Sequence, residues 1–272
     1  MIEKLILSMR SGDEALRREE PGFLDETSVI LVTYNDSDYI EECLESVFNN
    51  NPGKVVVVDN GSTDGTVATV TNEFPETKLV QMEDNPGPGA ANNCGVQQVD
   101  SEYVVVLNTD TIIDSDLVYE LVRPIADGEH EITVPKILTY DGEIINTIGN
   151  IAHFSGLAFT RGYGEPPGAY SEPIQLAGIS GACFATKRQT YQKMDGFEDS
   201  MFIYMDDTEL SWQANALEID ISYVPTAIVY HDYHGVEVGA EKLFHLESGR
   251  YIILRKHLTF KTFALILPSL LI

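Results

Sequence analysis

Apolar runs of strand length alternate with stretches of helical periodicity in the first half of the chain. Aliphatic, mostly β-branched residues fill four short runs: SVILVTY (28–34), KVVVVDN (54–60), KLVQM (78–82) and EYVVVLN (102–108). Between these runs, apolar residues recur at helical spacing near 40–48, 63–74 and 89–99. Because connections of helix length join parallel strands, the pattern predicts an α/β fold, with a mostly parallel, doubly wound sheet flanked by helices.

The pattern is less regular after the fourth predicted strand. A further helix is expected near 117–125, and a stretch from about 131 to 176, rich in Gly, Pro, Tyr and Thr, predicts irregular strands and loops. A second helical region starts near Asp206. With 272 residues, 43% of them apolar, the chain is long enough for one large domain with appendages. The expected parts are an N-terminal extension (1–26), the domain (27–235) and a C-terminal tail (236–272).

Polar residues stand at the end of each of the four predicted strands. They are Thr33 and Tyr34 for the first strand, Asp59 for the second, Asn85 for the third, and Asn108 and Asp110 for the fourth. A single polar strand end is explained by a turn whose side chains bond their own backbone. Carboxyl ends of parallel strands, however, lie side by side at the edge where open α/β sheets bind ligands. Four such ends together therefore predict a binding crevice.

The segment NPGPGAANNCG (85–95) places glycines and a helix N-terminus at the same edge. Backbone N–H groups at such a terminus suit an anionic phosphate. The stretch GPGAAN within it begins like a dinucleotide-binding fingerprint, but it lacks the third glycine and follows the third strand instead of the first. A phosphate-bearing ligand is therefore expected, whereas a dinucleotide is poorly supported.

The composition is strongly acidic, with 43 Asp and Glu residues against 17 Lys and Arg, and a formal net charge of −26. Nucleic-acid backbones require clustered Lys and Arg, so this balance argues against nucleic acid as a partner. The negative charge also repels an anionic substrate. Such acidity suits a protein from a high-salt cytoplasm, and ordinary solubility charge is the alternative explanation.

The cysteines, at positions 43, 94 and 183, are far apart and form no Cys-x-x-Cys motif. This arrangement suggests neither a disulfide framework nor a thiolate zinc site. The N-terminal apolar run is too short, and too mixed with acidic residues, for an export signal. We therefore expect a cytoplasmic protein.

The C-terminal end differs from the rest of the chain in charge. From Ala240 onward, five basic residues stand against two acidic ones, and the chain closes on the apolar sequence FKTFALILPSLLI. This run is shorter than the ~20 residues that span a bilayer, but a basic amphipathic helix leading into an apolar end is typical of an interfacial anchor. The alternative is a helix docked on the domain. We expect peripheral membrane contact, and a natural chain that continues further.

Seven motifs follow one another over roughly residues 28–235. They are VTYND (32–36), VDNGSTDGT (58–66), NPGPGAANNCG (85–95), LNTDTII (107–113), SGACFATKR (180–188), MDGFEDSMFIYMDDTELSWQ (194–213) and YVPTAIVYH (223–231). Their order and spacing resemble the inverting family 2 glycosyltransferases of GT-A fold, especially the rhamnosyltransferase-like branch. The resemblance implies a GT-A-type sheet and the transfer of a sugar from a nucleoside-diphosphate sugar to an acceptor hydroxyl.

The resemblance also implies which residues bind the donor. Thr33, Tyr34 and Asp59 match positions around the nucleotide base, and Asn93 lies in the loop that faces the nucleotide. Three strand-end residues complete the expected donor-binding set: Asn85, Asn108 and Asp110.

LNTDT occupies the place of the DxD motif of the family. Asn108 stands where the first carboxylate often lies, and Asp110 is the implied metal ligand. His231 matches a second ligand position, for which His234 is a substitute. Because a diphosphate brings its own oxygens to Mg²⁺ or Mn²⁺, one protein carboxylate and one imidazole suffice. The resemblance therefore implies dependence on one of these metal ions.

A catalytic base follows from the same resemblance. YMDDTELSW matches the paired acidic motif, with Asp207 as the general base and Asp206 beside it, and a single base with direct displacement implies inversion. The residues also allow a compatible structural interpretation, in which Asp206 and Glu209 form a capping-box-like helix start. Gln213 stands where the family often has Arg. Trp212 either forms the base of the sugar subsite or packs in the core.

The expected acceptor is a lipid-linked or cell-surface glycan at the cytoplasmic face of the membrane, selected by the loops between 139 and 176 and by the tail. An inactive nucleotide-sugar-binding subunit is the first alternative, to which Asn108 and Gln213 give weight. A sugar nucleotidyltransferase would need a Gly-rich basic loop after the first strand, which VTYNDSD lacks. A glycoside hydrolase would need neither nucleotide nor metal.

Overall fold

The structure, a computed structural model, describes residues 22–233 and 239–270. Its strands are β1 (Thr27–Thr33), β2 (Lys54–Asp59), β3 (Lys78–Gln81), β4 (Tyr103–Asn108), β5 (Thr111–Ile113), β6 (Ile132–Thr139), β7 (Ile145–Thr147), β8 (Asn150–Ala152), β9 (Ala158–Thr160), β10 (Ile174–Gln175), β11 (Cys183–Lys187) and β12 (Ile221–His231). Its helices are α1 (Ile40–Phe48), α2 (Thr66–Glu73), α3 (Pro88–Gln97), α4 (Leu117–Ala126), α5 (Arg188–Lys193), α6 (Asp206–Ala216), α7 (Ala240–His257) and α8 (Phe260–Leu270). Most of the N-terminal extension predicted at 1–26 lies outside the described residues, as does His234.

Ten strands form one mixed sheet, in the order β10-β12-β6-β11-β4-β1-β2-β3, with β5 paired to β12 and β7 paired to β6. Strands β3, β2, β1 and β4 are parallel neighbours, and β6 is parallel to β12. Because β11 runs antiparallel to both β4 and β6, all six of these strands point the same way. The predicted α/β fold with a mostly parallel sheet is therefore confirmed.

Helices cover both faces of the sheet because the central strands are apolar on both faces. Successive side chains of a strand point to opposite faces. In β1, Val29 and Leu31 accordingly join one buried cluster, with residues of α1 and α4, while Ile30 joins a second cluster with residues of α3 and α6. This arrangement is the doubly wound architecture that the continuous apolar strands predicted.

The stretch predicted to be irregular contains five strands. β6 is long and buried, whereas β7, β8, β9 and β10 have only two or three residues each. β8 and β9 form a separate two-stranded ribbon. The sequence did not predict β5, three buried residues that pair antiparallel with the end of β12. A strand of three residues is too short to show a periodicity.

The C-terminal helices differ in how they meet the rest of the protein. Ile253 of α7 is fully buried. A Cβ added to Gly249 of α7 would lie 2.7 Å from Met205 Cβ, so α7 packs closely against Met205, the residue before α6. The docked-helix alternative is therefore correct for α7. In α8, Phe260 and Leu265 are 85% and 79% exposed. Among the described residues, none of the helices combines the length and apolarity that crossing a membrane requires.

Close packing of α3 on the sheet makes Gly95 sensitive to substitution. A Cβ at this position would lie 2.4 Å from Ile30 Cγ2 and 3.1 Å from Val58 Cγ2. Gly95→Val should therefore lower the free energy of unfolding by about 1–3 kcal/mol through overpacking, as measured by urea denaturation. Gly168→Val is the control, because nothing lies within 4 Å of its added Cβ. Equal losses in both variants would contradict the close packing.

Candidate active site

The carboxyl ends of β4, β1, β2 and β3 lie next to one another, as the sequence predicted. One carboxylate, that of Asp36, ties two of these ends together. Its Oδ2 accepts hydrogen bonds from Thr33 Oγ1 (2.9 Å), the Tyr34 N–H (3.1 Å) and Thr109 Oγ1 (2.5 Å). Thr33 is buried, and its hydroxyl is used within the protein. The sequence motif VTYND contains Asp36, but its role was not predicted. The feature that could have indicated it is an acidic residue three positions after the Thr at the end of a strand.

The loop after β2 is held against the end of β1. Asn35, at a φ of 58°, accepts the Thr63 N–H on Oδ1 at 2.8 Å and donates its own N–H to Ser62 Oγ at 2.8 Å. The Asp59 carboxylate accepts the Ser62 N–H, with its two oxygens at 3.2 and 3.3 Å. Asp59 is buried, and its carboxylate holds the loop after β2 in place. The Tyr34 side chain is 50% exposed and open to a ligand.

Asn85 and Asn93 use their side chains within the protein. Asn85 Oδ1 accepts the Gly87 N–H at 2.9 Å and closes the turn before α3. The resemblance placed Asn93 in a loop, but this was wrong: the helix begins at the second proline of the segment, and Asn93 lies inside α3. Its Oδ1 accepts the Tyr191 hydroxyl (2.7 Å) and the Phe197 N–H (2.9 Å), and its Nδ2 donates to the Phe197 carbonyl (2.8 Å). Asn93 thus anchors the segment after α5, and a nucleotide contact by this residue stays a prediction.

Strand β5 brings Asp110 and His231 together. Because β5 pairs with the end of β12, the Asp232 N–H donates to the Asp110 carbonyl at 3.0 Å. His231 Nε2 consequently lies 3.3 Å from Asp110 Oδ1. On the other side of the ring, His231 Nδ1 lies 3.1 Å from Asn146 Oδ1.

The Asn146 contact determines which nitrogen of His231 carries the proton. An amide oxygen only accepts hydrogen bonds, so Nδ1 is the donor and Nε2 keeps its lone pair in the neutral ring. Although Nε2 and Asp110 Oδ1 are within ion-pair distance, this buried oxygen has no hydrogen-bond partner among the described residues. Two acceptors at this separation repel each other unless a second proton or a cation lies between them.

The Asp110 and His231 pair fits a divalent metal ion. A carboxylate oxygen and an imidazole nitrogen are both suitable ligands, and a metal-binding His usually donates its other N–H to a neighbouring oxygen, as His231 does to Asn146. Across residues 22–233 and 239–270, no group of three or more His, Cys, Asp or Glu side chains is placed to hold a metal. Water and diphosphate oxygens are the usual further ligands of Mg²⁺ and Mn²⁺ in sites with few protein ligands.

Asp207 lies in the first turn of α6 and is held by neighbouring segments. Its Oδ2 accepts hydrogen bonds from Asn150 Nδ2 (2.9 Å) and the Gly181 N–H (3.2 Å), and its Oδ1 accepts the Thr208 hydroxyl (3.2 Å). The sequence predicted Asp207 but neither Asn150 nor Gly181 as its partners.

A three-residue segment joins Asp207 to the end of β4. Gly181 donates to the Asp207 carboxylate, and Ala182, the next residue, accepts the Asn108 N–H at 2.9 Å. Asn108 is the first polar residue of LNTDT, two positions before Asp110. The segment 180–182 therefore links the candidate base to the end of β4, two residues before Asp110.

Asp206 does not cap α6. The N-cap residue is Met205, in the left-handed region with a φ of 65°, and its side chain makes no capping hydrogen bond. Glu209 is fully buried instead, with its Oε1 2.9 Å from both Lys256 Nζ and His257 Nε2 of α7. The capping-box interpretation is therefore wrong, because Asp206 lies one position too late and Glu209 binds α7.

Gln213 and Trp212 also point into the protein. Gln213 Nε2 donates to Glu209 Oε2 at 2.7 Å and to the Gly196 carbonyl at 3.1 Å. Trp212 packs against the small buried cluster of Met201, Met205 and Ile253. Of the two alternatives for Trp212, the core position is the one observed.

Burial raises the pKa of both Asp206 and Asp207, and the neighbouring Asp207 charge raises the pKa of Asp206 further. Hydrogen bonds from Gly181, Thr208 and Asn150 oppose the rise in the pKa of Asp207. A carboxyl whose pKa is shifted toward neutrality is suited to accept a proton during a reaction.

Comparison with known proteins identifies one family and several relatives. The profile of the family described as Glycosyl transferase family 2 matches residues 28–195. The chain is 29% identical over 212 residues to the poly-β-1,6-N-acetyl-D-glucosamine synthase of Staphylococcus epidermidis, a match that covers 75% of this chain and 49% of that protein. The chain thus spans about half the length of the curated relatives it matches.

Solved structures with a similar fold include GalNAc-T7 with UDP, GalNAc and Mn²⁺, at a TM-score of 0.69 and 18% identity, covering 84% of this chain and 47% of that chain. TarS of Staphylococcus aureus in complex with UDP-GlcNAc is similar at a TM-score of 0.60 and 19% identity, covering 90% of this chain and 71% of that chain. These likenesses confirm the GT-A-type fold. The rhamnosyltransferase-like branch stays a prediction.

Removing the Asp206 charge should stabilise the protein at neutral pH. Because the pKa of Asp206 is raised by folding, its ionisation costs stability as the pH rises above the unfolded value of ~3.9, and the full cost is present above the raised pKa. Asp206→Asn should therefore increase the midpoint of thermal unfolding, by more at pH 8 than at pH 5. Asp116→Asn, an exposed substitution, is the control for net charge. A gain that is equal in both variants, or independent of pH, would contradict the raised pKa.

Proposed function

The chain belongs to glycosyl transferase family 2, and from this premise we propose that it is a metal-dependent, inverting glycosyltransferase. In this proposal it moves a sugar from a nucleoside-diphosphate sugar to the hydroxyl of an acceptor. The observation that carries the proposal is the segment 180–182, which bonds both the Asp207 carboxylate and the Asn108 N–H. This link supports a base and a diphosphate site that act on the same donor.

The proposed reaction is a single displacement at the anomeric carbon. The acceptor oxygen attacks this carbon, the bond to the diphosphate oxygen breaks, and the hydroxyl proton passes to Asp207. The raised pKa of Asp207 supports this role, because a carboxyl of higher pKa holds the proton more strongly. One base and one displacement give inversion of the anomeric centre.

Asp110 Oδ1 and His231 Nε2 are the protein atoms that would hold the metal ion. The support for this part of the proposal is the buried Oδ1, which has no hydrogen-bond partner among the described residues, and the His231 ring fixed by Asn146. A bound Mg²⁺ or Mn²⁺ supplies positive charge to the diphosphate leaving group. Tyr34, exposed at the end of β1, is in this proposal a contact for the nucleotide base.

Related proteins suggest the substrates. The similar structures contain UDP with GalNAc, or UDP-GlcNAc, and the relative from Staphylococcus epidermidis is a poly-β-1,6-N-acetyl-D-glucosamine synthase. We therefore propose UDP-linked N-acetylhexosamines as the first donors to test. The proposed acceptor is a growing lipid-linked or cell-surface glycan, reached from the cytoplasmic face of the membrane.

Substituting the candidate base separates catalysis from binding. Asp207→Asn should reduce UDP release from UDP-sugars, in the presence of short glycan or lipid-linked acceptors, by on the order of 100-fold or more. Binding of UDP with Mn²⁺, read as a thermal shift, should stay within about twofold of the wild-type affinity, because the hydrogen bonds of Asp207 are to Asn150, Gly181 and Thr208 and to neither candidate metal ligand. The assay contains about 1 M KCl, since the acidic composition suits a high-salt cytoplasm.

Asp116→Asn, at an exposed aspartate, is the matched control and should keep full activity. Turnover retained by Asp207→Asn would remove Asp207 as the base. A wild-type protein that binds UDP with Mn²⁺, yet transfers to no acceptor, would support the alternative of an inactive binding subunit.

We also propose that α8 contacts a membrane surface. Phe260 and Leu265 expose large apolar side chains, and Lys261 and Arg255 add positive charge at the same end of an otherwise acidic chain. Apolar side chains beside basic ones favour the surface of an anionic bilayer.

Vesicle sedimentation checks this contact. The protein should bind vesicles that contain anionic lipid more than vesicles of neutral lipid, and Phe260→Ser with Lys261→Glu should reduce that binding by about tenfold. Thr160→Glu, at an exposed position of the β9 strand, is the control for added negative charge. Equal binding by both variants would contradict the proposed surface.

A further inference from the structure

One short segment contacts both halves of the candidate active site. This bridge segment (145–150) includes β7 and the first residue of β8, and it carries two asparagines four positions apart. Asn146 Oδ1 accepts the His231 Nδ1–H at 3.1 Å, and Asn150 Nδ2 donates to Asp207 Oδ2 at 2.9 Å. Two functional side chains from different elements, β12 and α6, are thus held from a single piece of backbone.

The bridge segment is fixed at its apolar positions. Ile145 and Ile148 are fully buried and belong to the cluster that lies under α3 and α6. The Ile145 N–H donates to the Glu165 carbonyl at 2.8 Å, and the Ile148 N–H donates to the Arg161 carbonyl at 3.1 Å. Strand β7 also pairs with β6, which lies beside β12, so that Asn146 is brought next to His231.

The turn between the two asparagines has little freedom. Gly149 has a φ of 112°, and a Cβ at this position would lie 2.7 Å from Leu176 Cδ1 and 2.8 Å from the Gly178 carbonyl oxygen. Thr147 Oγ1 donates to the Gly149 carbonyl (2.9 Å) and accepts its N–H (3.0 Å). The Asn150 N–H then donates to the Gly178 carbonyl at 2.9 Å. The backbone therefore sets the separation of the two amide side chains.

We propose that the bridge segment positions the metal-binding and proton-accepting groups together, with Asn146 and Asn150 as positioning residues. Asn146 keeps the proton of His231 on Nδ1, so that Nε2 presents a lone pair beside Asp110 Oδ1. Asn150 fixes the rotation of the Asp207 carboxylate. This inference rests on the proposed glycosyltransferase function, and it assigns roles to two residues in a stretch for which the sequence predicted irregular strands and loops but no site residue.

The chemistry of Asn146 requires an acceptor and not an amide as such. A carboxylate at the same place would still accept the Nδ1–H and would keep Nε2 free for a metal ion. An apolar side chain of similar size would leave the ring without a partner and free to exchange tautomers. At this buried position, Asn146→Asp should therefore preserve metal binding by His231, whereas Asn146→Leu should weaken it.

The chemistry of Asn150 requires a donor. Together with the Gly181 N–H, its Nδ2 gives Asp207 Oδ2 two hydrogen bonds from fixed directions. Replacement by Asp keeps the size of the side chain but places a second negative charge against the carboxylate, while replacement by Leu removes the donor without adding charge. Both changes should disturb proton acceptance and leave the diphosphate site intact.

The first test measures metal-dependent binding. Calorimetric titration of UDP in the presence of MnCl₂ should show that Asn146→Leu weakens binding by about 10–100-fold, whereas Asn146→Asp stays within about threefold of wild type. Binding of UDP to Asn150→Leu and Asn150→Asp should be within about twofold of wild type. Glu143→Gln, an exposed substitution just before the bridge segment, is the control.

The second test measures turnover against pH. Asn150→Leu should lower kcat for UDP release by on the order of 100-fold, with the donor KM unchanged and the acid limb of the kcat profile moved to higher pH. Asn150→Asp should lower kcat as well. This variant replaces Asn150→Leu in the test if the Leu variant does not fold. Asn146→Asp should keep kcat within about tenfold of wild type.

Two results would overturn the inference while the proposed function stands. One is wild-type Mn²⁺-dependent UDP binding in folded Asn146→Leu. The other is a wild-type kcat and pH profile in Asn150→Asp. Failure of the wild-type protein itself to bind UDP with Mn²⁺ or to turn over would instead count against the proposed function, so the two failures are distinguishable.

Discussion

Electrostatic repulsion between an acidic protein and its proposed diphosphate ligand is the constraint on which the candidate site depends. The chain has a formal net charge of −26, and the crevice at the strand ends holds further carboxylates. In the part of the chain that the structure describes, the hydrogen bonds and ion pairs of Asp36, Asp110 and Asp207 include no Lys or Arg side chain. In the proposed function, a bound cation supplies the charge for a diphosphate. The arrangement of Asp110 and His231, with a buried oxygen facing an imidazole nitrogen, is suited to hold one.

This pair exists only because of contacts between strands that are distant in sequence. Strand β5 places Asp110 next to the end of β12, and the antiparallel strand β11 places Gly181 beside β4 and Asp207. The parallel half of the sheet thus forms the edge at which the candidate site lies, while the less regular second half contributes His231 and Asp207. Helix α7 adds a further constraint, since its Lys256 and His257 hold Glu209, two positions after Asp207.

Much of this was predictable from the sequence, for physical reasons that also explain the failures. Continuous apolar strands with polar ends predicted the α/β sheet and the edge at which the candidate site lies. Asn146 and Asn150 were not found, because their partners are 85 and 57 residues away and strands of three residues have no readable period. The capping role of Asp206 was wrong because a local rule was applied where α7 determines the position of Glu209.

The central claim is that a cation held by Asp110 and His231 lets this acidic protein bind a diphosphate. Its most direct test is calorimetric titration of wild-type protein in about 1 M KCl with UDP, then GDP and dTDP, once with Mn²⁺ and once with EDTA. The account predicts saturable binding of one nucleoside diphosphate with Mn²⁺, and binding at least tenfold weaker in EDTA. Equal affinity for that nucleotide in EDTA would contradict it.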